Sequence, residues 1–222
     1  MFIFAIIPCR NGSQYLKEAV SSLQQQDIQT EIIVVDDGST DTTAKIASEL
    51  GCIVKSIPHS GLSAARNTGL SLAQGELVLF LDHDDVMRKG TLQKLAEAIS
   101  LPTSSGVVMA KAVDFISPEL TEEEKKVLSP RAEPYYGLLS GAVLFKKEVF
   151  SRIGCFTEHL ATGQTMDVLM RAEDAGIPTV RLDFIAVDRR LHNNNMGRTM
   201  QKQEHKDYAS LLRRKLAGRH SS

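Results

Sequence analysis

Apolar residues along the chain come in short unbroken runs separated by stripes at helical spacing. Residues 2–7 are such a run and stop at Pro8. A short apolar run closed by proline predicts a buried central strand. "NGSQ" then turns the chain, and Leu16, Ala19, Val20 and Leu23 predict a helix. "EIIVV" (31–35) predicts the next strand, followed by the acidic turn "DDGSTD" and a helix through Ile46, Ala47 and Leu50. "CIVKSI" reads as a third strand. "GLSAARNTGLSLAQG" reads as a helix that Gly75 closes as a C-cap. "ELVLFL" is the fourth strand, and it runs straight into "DHDD".

The second half is less regular. Leu92, Leu95, Ala96 and Ile99 make one helical stripe, and "GVVMAKAVDFI", "LLSGAVLF" and "PTVRLDFIAV" read as strands. The polar segment "SPELTEEEKKVLSPRAEP" is bounded by prolines and predicts a surface excursion with one short helix. Residues 165–175 form a helix pattern closed by Gly176. Continuous apolar strands alternating with helices imply an α/β fold, with a mostly parallel central sheet and helices on both faces. Ligands of such sheets bind beyond the carboxyl ends of the strands. Asp82, Asp84 and Asp85 are therefore expected at a site rather than in the core.

At 222 residues with 42% hydrophobic and 24% charged residues, the chain has enough apolar material for one sizeable core. Its formal net charge of -1 argues against nucleic acid as a partner. The three cysteines, Cys9, Cys52 and Cys155, are widely spaced and odd in number. That predicts neither zinc nor disulfides and favours a reducing, cytoplasmic compartment. No apolar run approaches the roughly 18 residues of a membrane span, and "MFIFAIIPC" lacks the basic leader of a signal peptide. The tail from Arg198 to His220 carries seven Lys or Arg and two acids, or +5 with histidines neutral. Tyr208, Leu211, Leu212 and Leu216 share one helical face there, flanked by Arg213, Arg214 and Lys215. This face suits peripheral contact with anionic lipid on the inner face of a membrane, or packing on the domain or a dimer partner.

Two aspartates entering a turn at a strand's end, Asp82 and Asp84, can converge on one cation. Hard divalent ions take oxygen ligands and keep water or substrate phosphates for the remainder. The plainer alternative is a solvated acidic turn. Asp36 and Asp37 end the second strand, where an acid accepts bonds from a ribose or a base N–H. Ser39, Thr40 or Asp41 is expected to cap the following helix. Arg66 lies near a helix start, where the dipole disfavours it. It fits beside an anionic ligand, or in a salt bridge to Asp36 or Asp41. His192 in "RRLHNNNMG" is a metal ligand or a surface histidine. The first turn, "IPCRNGSQ", has one glycine and a proline, which excludes a dinucleotide fingerprint.

"IIPCRNGSQYLKEAVSSLQQQ", "EIIVVDDGSTDTT", "GLSAARNTGLSLAQGELVLFLDHDD" and "LSGAVLFKKEVFSRIGCF" occur in that order. Together they resemble the family-2 inverting glycosyltransferases, which have a Rossmann-like GT-A fold. The similarity is strong over about residues 3–157 and weaker to about 198. It implies a GT-A domain over residues 1–197, with a nucleotide-sugar-binding half (1–100) and an acceptor half (101–197), then a basic helical tail (198–222). It implies a nucleotide-sugar donor such as a UDP-sugar, Mg or Mn as cofactor, and a glycan, lipid or small molecule as acceptor. It places Pro8 and Asn11 near the nucleotide, Asp37 on the base, and Arg66 beside base or diphosphate. Asp82 and Asp84 fall on ribose, phosphate and metal, with Asp85 and His192 at the metal.

One segment departs from the family pattern. An acidic pair usually precedes a "D-L-x-x-R" helix, and its Asp is the expected general base. Here "ATGQTMDVLMRAEDAG" puts Gln164 and Thr165 in those places. Neither accepts a proton near neutral pH. Glu158 and Asp167 are the acids between Cys155 and Arg171 and become the candidate catalytic residues. Asp167 also stands four residues before Arg171, as a helical ion pair. The alternative is a degenerate member that binds nucleotide-sugar without turning it over.

Overall fold

β1 (Ile3–Cys9) is buried along its whole length and forms the spine of the sheet. It pairs in parallel with β2 (Thr30–Asp37) on one side and β4 (Leu77–Phe80) on the other. The computed structural model describes residues 2–104, 106–137, 139–195 and 201–219. β3 (Ile53–Ile57) continues the parallel order outside β2 as a half-exposed edge. The remaining strands are β5 (Val86–Met87), β6 (Val107–Ile116), β7 (Val143–Lys146) and β8 (Val180–Leu191). The sheet has eight strands in the order β3-β2-β1-β4-β7-β6-β8-β5.

The sheet is parallel through its first four strands. Beyond them β7 runs antiparallel to both β4 and β6, β6 and β8 are parallel, and β5 is antiparallel to β8. A mostly parallel sheet thus describes the first half, and a mixed sheet the whole. The expected strand "LLSGAVLF" is correspondingly shorter, because a 3-10 turn at Ser140–Ala142 precedes β7. The final strand is longer than expected and carries Arg189 and Arg190 within it.

Helices cover both faces. α1 (Leu16–Gln24), α2 (Thr43–Glu49) and α4 (Thr91–Ile99) pack on the face to which β1 sends Ile3, Ala5 and Ile7. α3 (Leu62–Leu72), α6 (Glu148–Ile153) and α7 (Gln164–Asp174) pack on the other, with Phe4 and Ile6. Period-two alternation along β1 therefore feeds two cores. On the second face, Phe80 meets Phe150 and Phe156 edge-on at 6.0 and 4.8 Å between ring centroids.

The polar excursion contains the expected short helix, α5 (Glu122–Lys126). It starts with a capping box in which Thr121 and Glu124 bond reciprocally. α8 (Gln201–Arg219) is the tail helix. The boundary inferred at residues 197–198, and the side chains of Arg214 and Leu216, lie outside the described residues. Among the described residues no helix is long and apolar enough to cross a membrane.

The approach of α3 to β1 depends on Gly69. A Cβ there would stand 2.3 Å from the Ile6 Cγ2 atom. Gly69→Ala is expected to cost about 1–3 kcal/mol through overpacking, read as a lower urea midpoint. An unchanged midpoint would show that the helix has room to move.

Candidate functional site

The carboxyl ends of β1, β2, β4 and β8 and the start of β7 meet at one rim, which opens into a cavity of about 790 Å³. Its first wall is the loop after β1. Pro8 ends the buried strand, and Asn11 takes a left-handed φ of 51°. That turn is held by the acidic segment following β2. The Asn11 N–H donates to the Ser39 Oγ at 2.9 Å, and Asn11 Oδ1 accepts from the Thr40 N–H at 2.8 Å. The Gly12 N–H donates to Thr43 Oγ1 at 2.9 Å. Asp41 accepts from the Ser13 and Thr43 N–H groups at 3.2 and 3.0 Å. Burial opposes the charge on Asp41, but the Thr43 and Ser13 bonds win and lower its pKa to about 2. The N-cap of α2 is Thr42, one residue after the segment expected to cap it, and Asp41 instead ties the two loops together.

Asp37 is buried at the end of β2 and holds the loop that enters α3. It accepts from the Ser60 N–H at 2.6 Å and the Gly61 N–H at 3.0 Å, and meets His59 Nδ1 at 2.8 Å. Both Asp37 and His59 border the cavity.

Arg66 is 3% exposed. Its Nη2 donates to Asp82 Oδ1 and to Ser140 Oγ, each at 2.9 Å. The salt bridge considered to Asp36 or Asp41 is replaced by this one. α3 aims the guanidinium across β1 toward β4, while Asp36 and Asp41 are engaged by Ser39 and Thr43. The Arg66 Nε is buried and has no protein partner among the described residues.

The "DHDD" segment is a tight turn, in which the Asp85 N–H donates to the Asp82 carbonyl at 3.1 Å. The turn sends Asp82 toward Arg66 and Asp84 toward His192. Asp84 Oδ2 lies 2.9 Å from His192 Nε2 and 3.3 Å from Asn195 Nδ2. Burial works against its charge, but the His192 bond and the nearby His83 and His192 lower its pKa. Asp85 behaves oppositely. Burial, then the charges of Asp84 and Asp82, push its pKa well above the usual carboxylate range. Its Oδ1 accepts from the Arg190 N–H at 3.0 Å.

Arg190 was not anticipated from the sequence, and it braces this half of the site. Its guanidinium lies 4.7 Å from the Tyr15 ring centroid and 4.6 Å from that of Phe115. The Nε donates to the Asp84 carbonyl at 2.9 Å, Nη1 to Ser117 Oγ at 3.1 Å, and Nη2 to Glu18 at 2.5 Å. Tyr15 also packs on His192, with centroids 4.9 Å apart. The available signal was an arginine pair inside an apolar strand end, which needs acidic partners just as "DHDD" needs basic ones.

The opposite wall is the start of α7. Gln164 and Thr165 are buried and border the cavity. The Gln164 amide donates to the Leu160 and Ala161 carbonyls at 3.2 and 2.9 Å. Glu158 is exposed at the rim and accepts from Asn67 Nδ2 at 3.0 Å. Asp167 is not brought to the cavity. It is 0% exposed, on the side of α7 facing Thr157 and Arg171, which donate to it at 2.8 and 3.0 Å. It forms the anticipated i,i+4 pair with Arg171.

Carboxylates with buried arginine and histidine partners thus line a cavity at the carboxyl rim of an α/β sheet, where ligands of such sheets bind. Residues 4–157 match the family described as Glycosyl transferase family 2, and the chain belongs to it. The pre-mycofactocin glycosyltransferase of Mycobacterium tuberculosis is 29% identical over 192 residues, covering 78% of this chain. The chain spans 39% of that relative's length. The crystal structure of Staphylococcus aureus TarS 1-349 in complex with UDP-GlcNAc superposes with a TM-score of 0.71 at 26% identity, over 88% of this chain and 60% of that one. The mannosyltransferase PcManGT from Pyrobaculum calidifontis, solved with GDP-Man and Mn2+, shares the fold at 18% identity, with a TM-score of 0.70 over 99% of this chain and 64% of its own. The fold is that of the GT-A glycosyltransferases.

Arg190→Lys keeps the charge but removes the planar fork that reaches three acceptors at once. It is expected to destabilise the fold by about 1–3 kcal/mol, read as a lower urea midpoint. An unchanged midpoint would show that the brace is not needed to hold Asp84.

Proposed function

We propose that this chain transfers a glycosyl unit from a nucleoside-diphosphate sugar to an acceptor hydroxyl, with inversion. The observation carrying the proposal is the convergence of Asp37, Arg66, Asp82, Asp84 and His192 on one cavity of about 790 Å³. The UDP-GlcNAc complex of the TarS relative supports a UDP-sugar as the first donor to test. In this reading Pro8, Asn11 and Asp37 border the base, and Arg66 lies beside the nucleotide. Asp82 and Asp84 face ribose and diphosphate.

A divalent cation, Mg or Mn, fits the Asp84 and His192 pair. Among the described residues no three His, Cys, Asp or Glu side chains are gathered as a ready-made metal site. Asp84 Oδ2 and His192 Nε2 are bonded to each other at 2.9 Å at the cavity edge, and a cation would replace that bond with one contact to each. A hard cation takes few protein ligands when phosphate oxygens and water supply the rest. The bound cation would offset negative charge on the departing diphosphate. Asp85 stands behind Asp84 and, by its bond to the Arg190 N–H, supports the turn.

In the transfer, the acceptor oxygen bonds to the anomeric carbon on the face opposite the diphosphate. The bond from that carbon to the diphosphate oxygen breaks, and its electron pair leaves with the diphosphate. The acceptor proton goes to Glu158, the carboxylate on this wall of the cavity that solvent and substrate reach. Because α7 begins with the neutral Gln164 and Thr165, a second reading remains in which the protein binds nucleotide-sugar without transfer.

Asp84→Ala is expected to abolish Mn-dependent binding of UDP in calorimetric titration. Retained affinity would remove the cation from this site. Glu158→Gln is expected to lower transfer by about 10²- to 10⁴-fold, and Thr165→Asp in the same chain to restore part of it. Full activity in Glu158→Gln would discard the base. A wild type that binds UDP and Mn but releases no nucleotide from any UDP-sugar would favour the binding-only reading.

A further inference from the structure

We infer that the tail helix completes an acceptor subsite for a neutral sugar ring, with the Tyr208 ring as its stacking wall. This rests on the donor site proposed above. Tyr208 lies outside the 4–157 segment that matches the family, yet it borders the same cavity as Asp84 and Arg66. It does so on the α7 side, away from the nucleotide-facing loops.

The placement is anchored at two levels. Asp207 is 7% exposed and accepts from the Thr162 N–H at 3.0 Å and the Thr162 hydroxyl at 3.1 Å. Gln203 Nε2 bonds its other oxygen at 2.8 Å. Eight residues further on, Lys215 bonds Glu173 at 3.0 Å and Asp174 at 2.5 Å. The helix is thus tied beside both ends of α7 and lies parallel to it in fixed register. Leu211, at 2% exposure, fills the space between these anchors. Of the face anticipated for a membrane, Tyr208, Leu211 and the flanking Lys215 are spent on the domain itself, while Leu212 is 51% exposed.

Gly163 fixes the ring. Its φ is +71°, and a Cβ there would stand 2.7 Å from Tyr208 Cε1. The aromatic ring therefore rests on bare backbone at the entrance to α7, and little freedom remains for ordering on binding.

The chemistry of this wall differs from that of the donor side. Leu160, Ala161 and Tyr208 are apolar, Gln164 and Thr165 are neutral, and Glu158 alone is charged. An aromatic face beside a carboxylate suits a pyranose ring. Its C–H face stacks on the aromatic ring, and its hydroxyls donate to the carboxylate. An anionic acceptor would meet Glu158 without a compensating cation on this wall. The wall therefore selects a neutral saccharide.

The test uses the full chain with Mn, UDP-glucose, UDP-galactose and UDP-GlcNAc as donors, and the octyl glycosides of glucose, galactose, mannose and N-acetylglucosamine as acceptors. Tyr208→Leu keeps an apolar side chain over Gly163 but loses the ring face. It is expected to raise the acceptor KM about tenfold, with a much smaller effect on kcat. Tyr208→Phe, which keeps the ring, is expected to bring KM back toward wild type. The Kd for UDP with Mn, read on each preparation, reports that the donor half is folded. An acceptor KM indifferent to Tyr208→Leu overturns the proposal. So does a wild type that binds UDP and Mn but transfers to none of these neutral glycosides. A wild type that binds no nucleotide takes down the donor reading and, with it, this one.

Discussion

A carboxylate at the buried rim of a sheet keeps its charge only if a donor or cation reaches it. This constraint organises the molecule. Asp37 recruits the N–H groups of Ser60 and Gly61, Asp82 recruits Arg66 and Ser140, and Asp84 recruits His192 from 108 positions away. Each pairing joins a strand end to a segment that local sequence would leave free. The paired Asp84 has its pKa lowered. Asp85, desolvated by burial and set beside two like charges with one backbone N–H to oppose them, has its pKa raised well above the ordinary range. Adjacent aspartates thus differ through their neighbours alone.

The same logic explains why the two walls of the cavity differ. The wall at the strand ends is built by mutual compensation of charges, and Arg190 is its keystone because one planar guanidinium serves a carbonyl, a hydroxyl, a carboxylate and two rings. The wall on α7 is mostly neutral. Its buried acid, Asp167, is turned inward to Arg171, which also donates to the Gly154 and Cys155 carbonyls at 3.0 and 2.8 Å. That guanidinium closes the end of α6 against α7, so Asp167 is a partner for a structural cation. A shared "D-x-x-x-R" spacing therefore carries packing here, whatever chemistry the preceding pair performs elsewhere.

The cavity wall at the strand ends was readable in the sequence as named residues. Pro8, Asn11, Asp37, Arg66, Asp82, Asp84, Asp85 and His192 all border the cavity. Apolar runs ending in polar groups mark the carboxyl ends of parallel strands, where such groups meet in any fold of this type. The wall on α7 was less readable. Glu158 and Asp167 were equal candidates as acids in one segment, and only the rotation of α7 separated an exposed rim carboxylate from a fully buried one. Tyr208 stood in a helical stripe whose destination the stripe does not encode.

The sequence by itself determined the alternation of strand and helix, the two-faced burial of β1, the short capped helix α5 and the accumulation of acids at strand ends. Each depends on periodicity or capping over a few residues, which is local information. Tertiary structure alone decided that β7 runs against its neighbours, that Arg66 faces Asp82 rather than Asp36 or Asp41, that Arg190 stacks between Tyr15 and Phe115, and that the basic tail lies on α7. These depend on which distant segments share a desolvated space. A burial pattern says that a side chain must find a partner, but only the path of the whole chain says which one comes within reach.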